Sequence, residues 1–245
     1  MVKLSNRLLA VASFVTDGNI LADVGTDHGY IPIYLMQKER IPKAIAMDIN
    51  EGPLQRAKEH IEVYGLKDYI ETRLSDGVAA LVPGEVDTVL IAGMGGGLVM
   101  HILEEGKEVC IQAKELVLQP QSELERVRAY LWSNGYVILE EDMVLEDEKF
   151  YPMMRVAYQN VIDTESAENQ LFCRYGKHLL EQRHVVLGEY LKREEKLYAG
   201  ILKNLSSTAV SEKTKERMTE VEEVLQLNRS AQKYFNKSLD CCQMT

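Results

Sequence analysis

No run in this 245-residue chain approaches the roughly 18 consecutive apolar residues of a membrane helix, so no spanning segment and no membrane partner is expected. Cysteine is scarce and scattered. Cys110, Cys173, Cys241 and Cys242 form no C-x-x-C pair and have no partnered histidines, so no metal site is expected; they read as idle thiols in a reducing, cytoplasmic compartment. Cys242 stands where a prenylation signal would start, but Gln243 is not aliphatic and the motif fails. The amino terminus, Met1-Val-Lys-Leu-Ser-Asn-Arg7, enters an amphipathic pattern without a small-residue cleavage site and is not expected to be a signal peptide. The sequons at Asn204, Asn228 and Asn236 carry no meaning in a cytoplasmic protein. Positive charge is also short: 28 Lys/Arg face 38 Asp/Glu, a net charge of −10. Residues 163–245 hold 13 of each sign, so the deficit, 15 basic against 25 acidic, lies entirely in residues 1–162. A polyanion must then be gripped by local clusters and the tail, because the overall field repels it.

What is present is an alternation. Apolar positions at helical spacing over residues 4–15 end before Asp17-Gly18, a turn signal. Strand patterns follow near 19–24, 43–48, 69–75, 86–92 and 115–119, separated by helical stretches near 30–38, 51–64, 96–104 and 122–133. Asn50 is placed to cap the second of these, with Pro53 in its first turn. Such alternation gives a doubly wound parallel sheet. After Asn134-Gly135, residues 136–145 and 150–161 read as strands joined by Glu146-Asp-Glu-Lys149, an antiparallel hairpin. The expected fold is α/β: a Rossmann-like sheet of the class I methyltransferase kind, parallel with an antiparallel terminal hairpin. Beyond Asp163 no strand pattern remains. Leu187, Leu191, Glu194, Tyr198, Ile201 and Leu205 step by alternating fours and threes. Met218, Val221, Leu225, Asn228, Gln232 and Phe235 do the same after the breaker Ser206-Ser-Thr. These segments predict an α-helical coiled-coil hairpin whose polar members Glu194, Asn228 and Gln232 weaken the seam. The expected division is one domain over 1–162 and a helical appendage over 163–245.

Four motifs fall at the carboxyl ends of successive strands, the crevice where α/β sheets bind ligands. The first is Asp23-Val-Gly25-Thr26-Asp27-His28-Gly29-Tyr30. It is nearly the dinucleotide fingerprint, but Asp27 replaces the second glycine, and a carboxylate there repels a pyrophosphate and favours a cation. S-Adenosylmethionine, an adenosine without phosphates that carries a sulfonium and an ammonium, suits this turn better than NAD. The second is Asp48, about 20 positions past the glycine turn, where an acid can accept both ribose hydroxyls or simply cap the next helix. The third is Ser75-Asp76-Gly77: Asp76 can accept from an adenine amino group while Gly77 keeps the backbone close, or the segment is a plain turn. The fourth, Gly93-Met94-Gly95-Gly96-Gly97, lets ligand or substrate approach the chain closely, or is a flexible loop. These four loops together mark the expected cofactor crevice. The fourth loop lacks the Asn/Asp-Pro-Pro-aromatic motif used on exocyclic amines, and none of the four holds a cysteine for a covalent base adduct, which leaves a ring nitrogen or an oxygen as nucleophile.

Leu4-Ser-Asn-Arg7-Leu8, the run Ala22 to Pro32, Gly93-Met94-Gly95-Gly96 and Leu118-Gln119-Pro120-Gln121 resemble bacterial tRNA (adenine(22)-N(1))-methyltransferases, and the likeness spans essentially the whole chain. That resemblance implies a Rossmann-like domain with a helical carboxyl-terminal hairpin, S-adenosylmethionine as cofactor with S-adenosylhomocysteine as product, and tRNA as partner. It implies methyl transfer to N(1) of one adenine in the D-loop region. It also implies a cofactor site of Arg7, Asp23, Gly25, Thr26, Asp27, Gly29, Asp48, Ile49, Asp76, Gly77, Gly93 and Gly95, with Arg7, His28, Tyr30, Pro32 and Met94 facing cofactor and target base and Asp27, His28, Tyr30 and Met94 the catalytic candidates. Adenine N(1) is a free lone pair, so alignment matters more than a strong base. Asp27 and His28 are placed to stabilise the cationic product or to orient the adenine amino group, with a helix cap or a backbone bond as the structural alternative for His28, and Tyr30 or Met94 to clamp an unstacked base. Arg174, Lys177, His178, Arg183 and His184 are candidate phosphate contacts, with a solvated helix face as the plainer reading. A monomer is expected, a homodimer being the other state. The competing readings are a methyltransferase for another RNA or a small molecule, a nicotinamide-dependent oxidoreductase, and a non-catalytic interaction protein built on the coiled coil.

Overall fold

The computed structural model describes residues 1–206 and 211–236. Cys241 and Cys242, Ser207 and Thr208 of the expected breaker, and Lys237 and Ser238 of the third sequon lie outside the described residues. Helix α1 (Asn6–Ser13) precedes strand β1 (Leu21–Val24); α2 (Tyr30–Gln37), β2 (Ala44–Asp48), α3 (Glu51–Val63) and β3 (Ile70–Leu74) follow. Then come β4 (Thr88–Ala92), α4 (Gly96–Glu105), α5 (Lys107–Cys110), β5 (Glu115–Gln119) and α6 (Leu124–Ser133). The hairpin is β6 (Tyr136–Glu146) and β7 (Lys149–Tyr158). The seven strands run in the order β3-β2-β1-β4-β5-β7-β6, with β1 to β5 parallel and β7 antiparallel to both β5 and β6.

The central strands are apolar at nearly every position because both faces are covered. Ala22, Val24, Ile45, Met47, Val89 and Ile91 pack on one side with Val99, Leu103, Val127 and Leu131 of α4 and α6. Leu21, Ala44, Ala46, Leu90 and Val117 pack on the other with Val11, Ile33, Leu35 and Ile61 of α1, α2 and α3. Strand order reverses between β1 and β4, the point where flanking loops part and leave a crevice. The register sets Val24 beside Ile91 and Ala92 beside Gln119, so the loops leaving β1, β4 and β5 start level with one another. Asn50 occupies the cap position of α3, but its side chain makes no cap bond; its backbone nitrogen instead donates to Asp48 Oδ1 at 2.8 Å.

The chain then forms three short helices that the sequence pattern did not predict: α7 (Thr164–Glu168), α8 (Gln170–Tyr175) and α9 (Lys177–Glu181). After them α10 (Val185–Ser206) and α11 (Glu212–Asn236) pair antiparallel, since Gly188 meets Phe235 while Glu195 meets Arg229. The predicted apolar seam is present, with Leu187, Leu191, Val221 and Leu225 buried. Its polar members are bonded rather than idle. Asn228 Nδ2 donates to Leu191 O (3.0 Å) and Glu194 Oε2 (2.9 Å), and Gln232 Nε2 donates to Asn228 Oδ1 (2.8 Å). Tyr175, Tyr190 and Arg174 also donate to the Glu194 carboxylate, which holds it below the usual carboxylate range despite its burial. No helix among the described residues is long and apolar enough to cross a membrane.

Candidate functional site

The turn after β1 is held open by backbone conformation. Gly25, His28 and Gly29 take φ of +73°, +64° and +68°, and Thr26 N donates to Met47 O (2.8 Å), fastening the turn to β2. His28 is the one residue of the three with a side chain to strain, and it sits where the turn bends into α2. Asp23 lies beneath, 6% exposed, accepting from Thr26 Oγ1 at 2.6 Å. Among the described residues no cationic side chain pairs with it. Burial is the main cause pushing its carboxyl up to about 6; the Thr26 bond opposes the shift and the Asp48 charge adds to it. A buried carboxylate without a counter-ion is a place for a ligand's positive charge.

Asp27 is exposed and is not alone. Arg56 NH2 of α3 stands 3.2 Å and His28 Nε2 3.3 Å from its Oδ1. The rings of His28, Tyr30 and His60 are nearly parallel with centroids 5.1–5.3 Å apart, and His60 Nδ1 lies 3.1 Å from His28 O. Arg56 and His60 were invisible in the sequence, since two polar residues four apart on a helix look like a solvated face.

Along the crevice the other loops line up. Ser75 N donates to Asp48 O (2.9 Å), joining the ends of β2 and β3. Asp76 is exposed, Ile49 is 58% exposed, and Gly77 packs where a Cβ would press on Ile102. On the far side of β1, Gly93 N donates to Gln119 O (3.0 Å) and Gln121 N to Met94 O (2.8 Å). The Met94 thioether lies over Gly25, where a Cβ would collide with its methyl carbon. Arg7 NH1 donates to Gln119 Oε1 (2.8 Å) while its guanidinium covers the Tyr151 ring at 5.3 Å. Arg7 is placed by Glu146, whose Oε1 accepts from Asn6 N (2.7 Å) at the start of α1. Gly96 N donates to Ser122 Oγ (3.2 Å) and Gly97 N to Glu123 Oε2 (2.8 Å). The amino end of α4 is thus already capped, one end by a carboxylate, and offers nothing to a phosphate.

The structure brings Gly25, Met94, Gly93 and Arg7 into one group and Asp27, His28 and Tyr30 into a second beside it, with Asp23 and Thr26 below. Asp48, Ile49, Asp76 and Gly77 form a third group at the ends of β2 and β3, and Gly95 precedes α4. From β3 to β4 is three strand spacings, about 14 Å. A ligand touching all four loops is therefore elongated, with cations toward Asp23. Of the basic residues near the hairpin root, four are engaged within the protein: Arg174 with Glu125 and Glu194, Lys177 with Ser166, His178 with Ile138 O and His184 with Asp142. Arg183 alone of the five is exposed. Gln119, fully buried at the end of an apolar strand, was the one sequence signal for the Arg7 contact. No cluster of three or more His, Cys, Asp or Glu able to hold a metal occurs among the described residues.

A family profile for the methyltransferase domain matches residues 4–154. The chain is 32% identical to the tRNA (adenine(22)-N(1))-methyltransferase of Bacillus subtilis strain 168, over 92% of this chain and 95% of that protein. The crystal structure of the B. subtilis m1A22 tRNA methyltransferase superposes with a TM-score of 0.83 at 30% identity, covering 94% of this chain and 99% of the other. A Streptococcus pneumoniae protein solved in complex with S-adenosyl-L-methionine gives a TM-score of 0.81 at 32% identity over 94% of this chain and 99% of that one.

Proposed function

The chain belongs to the tRNA (adenine(22)-N(1))-methyltransferase family, and from that premise we propose that it moves a methyl group from S-adenosylmethionine to N(1) of adenine 22, in the D-loop region of tRNA. The observation that supports this most directly is Asp23: a buried carboxylate with no counter-ion among the described residues, under a turn that presents Asp27 rather than bare amides. This donor set fits a phosphate-free, cationic nucleoside and not a dinucleotide. Asp48 and Asp76, with Ile49 and Gly77, hold the adenosine end; Asp23, Thr26, Gly25 and Gly29 hold the amino-acid end; Gly93, Gly95 and Arg7 bound the side open to the base. When bound, S-adenosylmethionine supplies a methyl already activated by its sulfonium. The protein's own task is alignment. No side chain needs to remove a proton from adenine N(1), whose lone pair is free at neutral pH. Asp27 and His28 stabilise the positive charge that the base acquires, and Tyr30 and Met94 clamp the unstacked ring. All four loops come from one chain, which supports a monomer as the working unit, in the cytoplasm with its tRNA. Residues 1–162 carry the cofactor and residues 163–245 form the appendage that meets tRNA.

The test is direct. Incubated with labelled methyl donor and unmodified bulk tRNA, the protein should place label on N(1) of adenine 22. Label elsewhere, or none, sinks the reading. In a thermal-shift comparison S-adenosylhomocysteine should stabilise the protein and NADH should not. A further expectation concerns Gly25→Ala. Its positive φ costs a side chain about 1–2 kcal/mol, which the fold can absorb, but the added methyl must also displace Met94. Affinity for S-adenosylhomocysteine should fall more than about tenfold in calorimetry while the melting temperature drops by only a few degrees.

A further inference from the structure

Gln121 stands two residues beyond β5 with its backbone pinned: its nitrogen donates to Met94 O at 2.8 Å, and Pro120 precedes it. Its side chain is exposed, and its amide has no hydrogen-bond partner among the described residues. Nε2 lies 3.7 Å from the point a Cβ on Gly93 would occupy, and Arg7 NH1 lies 3.8 Å from the same point. Arg7 is committed to Gln119 and Tyr151, and Gln119 is fully buried. One free carboxamide therefore faces the glycine loop at the mouth of the crevice.

The reaction restricts how the base can be read. N(1) must keep its lone pair for the methyl, so the protein cannot identify adenine by bonding to that atom. The N6 amino group and N7 remain. A carboxamide matches them: its oxygen accepts from N6–H and its nitrogen donates to N7. Guanine presents two acceptors, O6 and N7, on that edge, and one amide cannot satisfy both in the same pose. We propose that Gln121 reads the N6/N7 edge of the target adenine and so sets base specificity while leaving N(1) open. This rests on the methyl transfer to adenine N(1) proposed above.

The experiment pairs a protein change with a substrate change. Full-length tRNA carrying either adenine or 7-deazaadenine at the target position is offered to the wild-type protein and to Gln121→Ala, and kcat/KM is measured for all four combinations. Loss of N7 should lower the wild-type value about tenfold or more. Gln121→Ala should show a similar loss on the normal tRNA and no further loss on the 7-deaza tRNA. Its affinity for S-adenosylhomocysteine and its melting temperature should match wild type, which separates base reading from damage to the fold or the cofactor site. If Gln121→Ala still discriminates between the two tRNAs as wild type does, or if wild type ignores the 7-deaza change, the inference is overturned while the methyltransferase reading stands. A wild-type protein that methylates neither tRNA overturns both.

Discussion

Asp23→Asn should make the ligand-free protein more stable at neutral pH and, in the same stroke, a poor binder of S-adenosylmethionine. The carboxylate is 6% exposed, its one hydrogen-bond donor among the described residues is Thr26 Oγ1, and burial raises its pKa from an ordinary 3.8 to about 6. The sign follows from linkage. Below pH 4 the group is protonated in folded and unfolded chains alike, and the fold has its full stability. As pH rises toward 6 the unfolded chain ionises first, and above 6 the native state also carries a charge it cannot solvate. The loss by neutral pH is about 3 kcal/mol. Asparagine stays neutral throughout and can still accept from Thr26. In differential scanning at pH 7.5 the variant should melt several degrees above wild type, at about 2–4 °C per kcal/mol for a chain of this size, and the gap should close below pH 4. Calorimetry should give a Kd for S-adenosylmethionine about a hundredfold weaker, the effect of a lost charged contact. A variant that melts below wild type at pH 7.5 would mean that the buried carboxylate is not a burden on the fold, and one that binds as tightly would remove Asp23 from the cofactor site. The proposed function accounts for a carboxylate that destabilises the empty protein, as the counter-ion of a cationic ligand.

Much of this was legible in the chain because parallel strands covered on both faces cannot alternate. Ala44-Ile-Ala-Met and Leu116-Val-Leu announce themselves as unbroken apolar runs, and the glycines and acids that follow them mark the loops. The β6–β7 hairpin was legible for the opposite reason, an alternation broken at Glu146-Asp-Glu-Lys149, where Asp147 and Glu148 take φ of +47° and +61°. What could not be read was pairing across distance. Arg174 sits among basic residues in sequence, yet its partners Glu125 and Glu194 lie 49 and 20 positions away. Asp27 looked like a lone negative oxygen until α3 brought Arg56 to it. Helices α7, α8 and α9 are 5, 6 and 5 residues long, too short for a 3.6-residue period to emerge.

The largest stability change should come from a place without catalytic duty. Arg128 Nε donates to Glu141 Oε1 at 2.8 Å, and the two side chains are 1% and 0% exposed. Glu141 Oε2 also accepts from His178 N (3.1 Å), while Arg128 NH1 donates to Cys173 O (2.7 Å) and Arg174 O (3.1 Å). One ion pair therefore stitches α6 and β6 to α8 and α9, and through Arg174 to Glu194 in the α10–α11 pair. Gly176, at φ +87°, crowds so close that a Cβ there would lie 2.6 Å from Glu141 Oε1. Glu141→Ala strands a guanidinium in the interior and should cost about 3–5 kcal/mol, lowering the melting temperature by roughly 10 °C. Arg128→Met combined with Glu141→Leu removes both charges and should recover most of that loss, because burying an ion pair gains little over apolar packing. The single variant should keep its affinity for S-adenosylhomocysteine at low temperature, since neither residue touches the four crevice loops, while its affinity for tRNA falls as the helices beyond α6 lose their anchor. A Glu141→Ala protein that melts with wild type would mean that water reaches Arg128. A double variant no better than the single one would mean that the pair itself, and not the orphaned charge, fixes how the carboxyl-terminal helices meet the sheet.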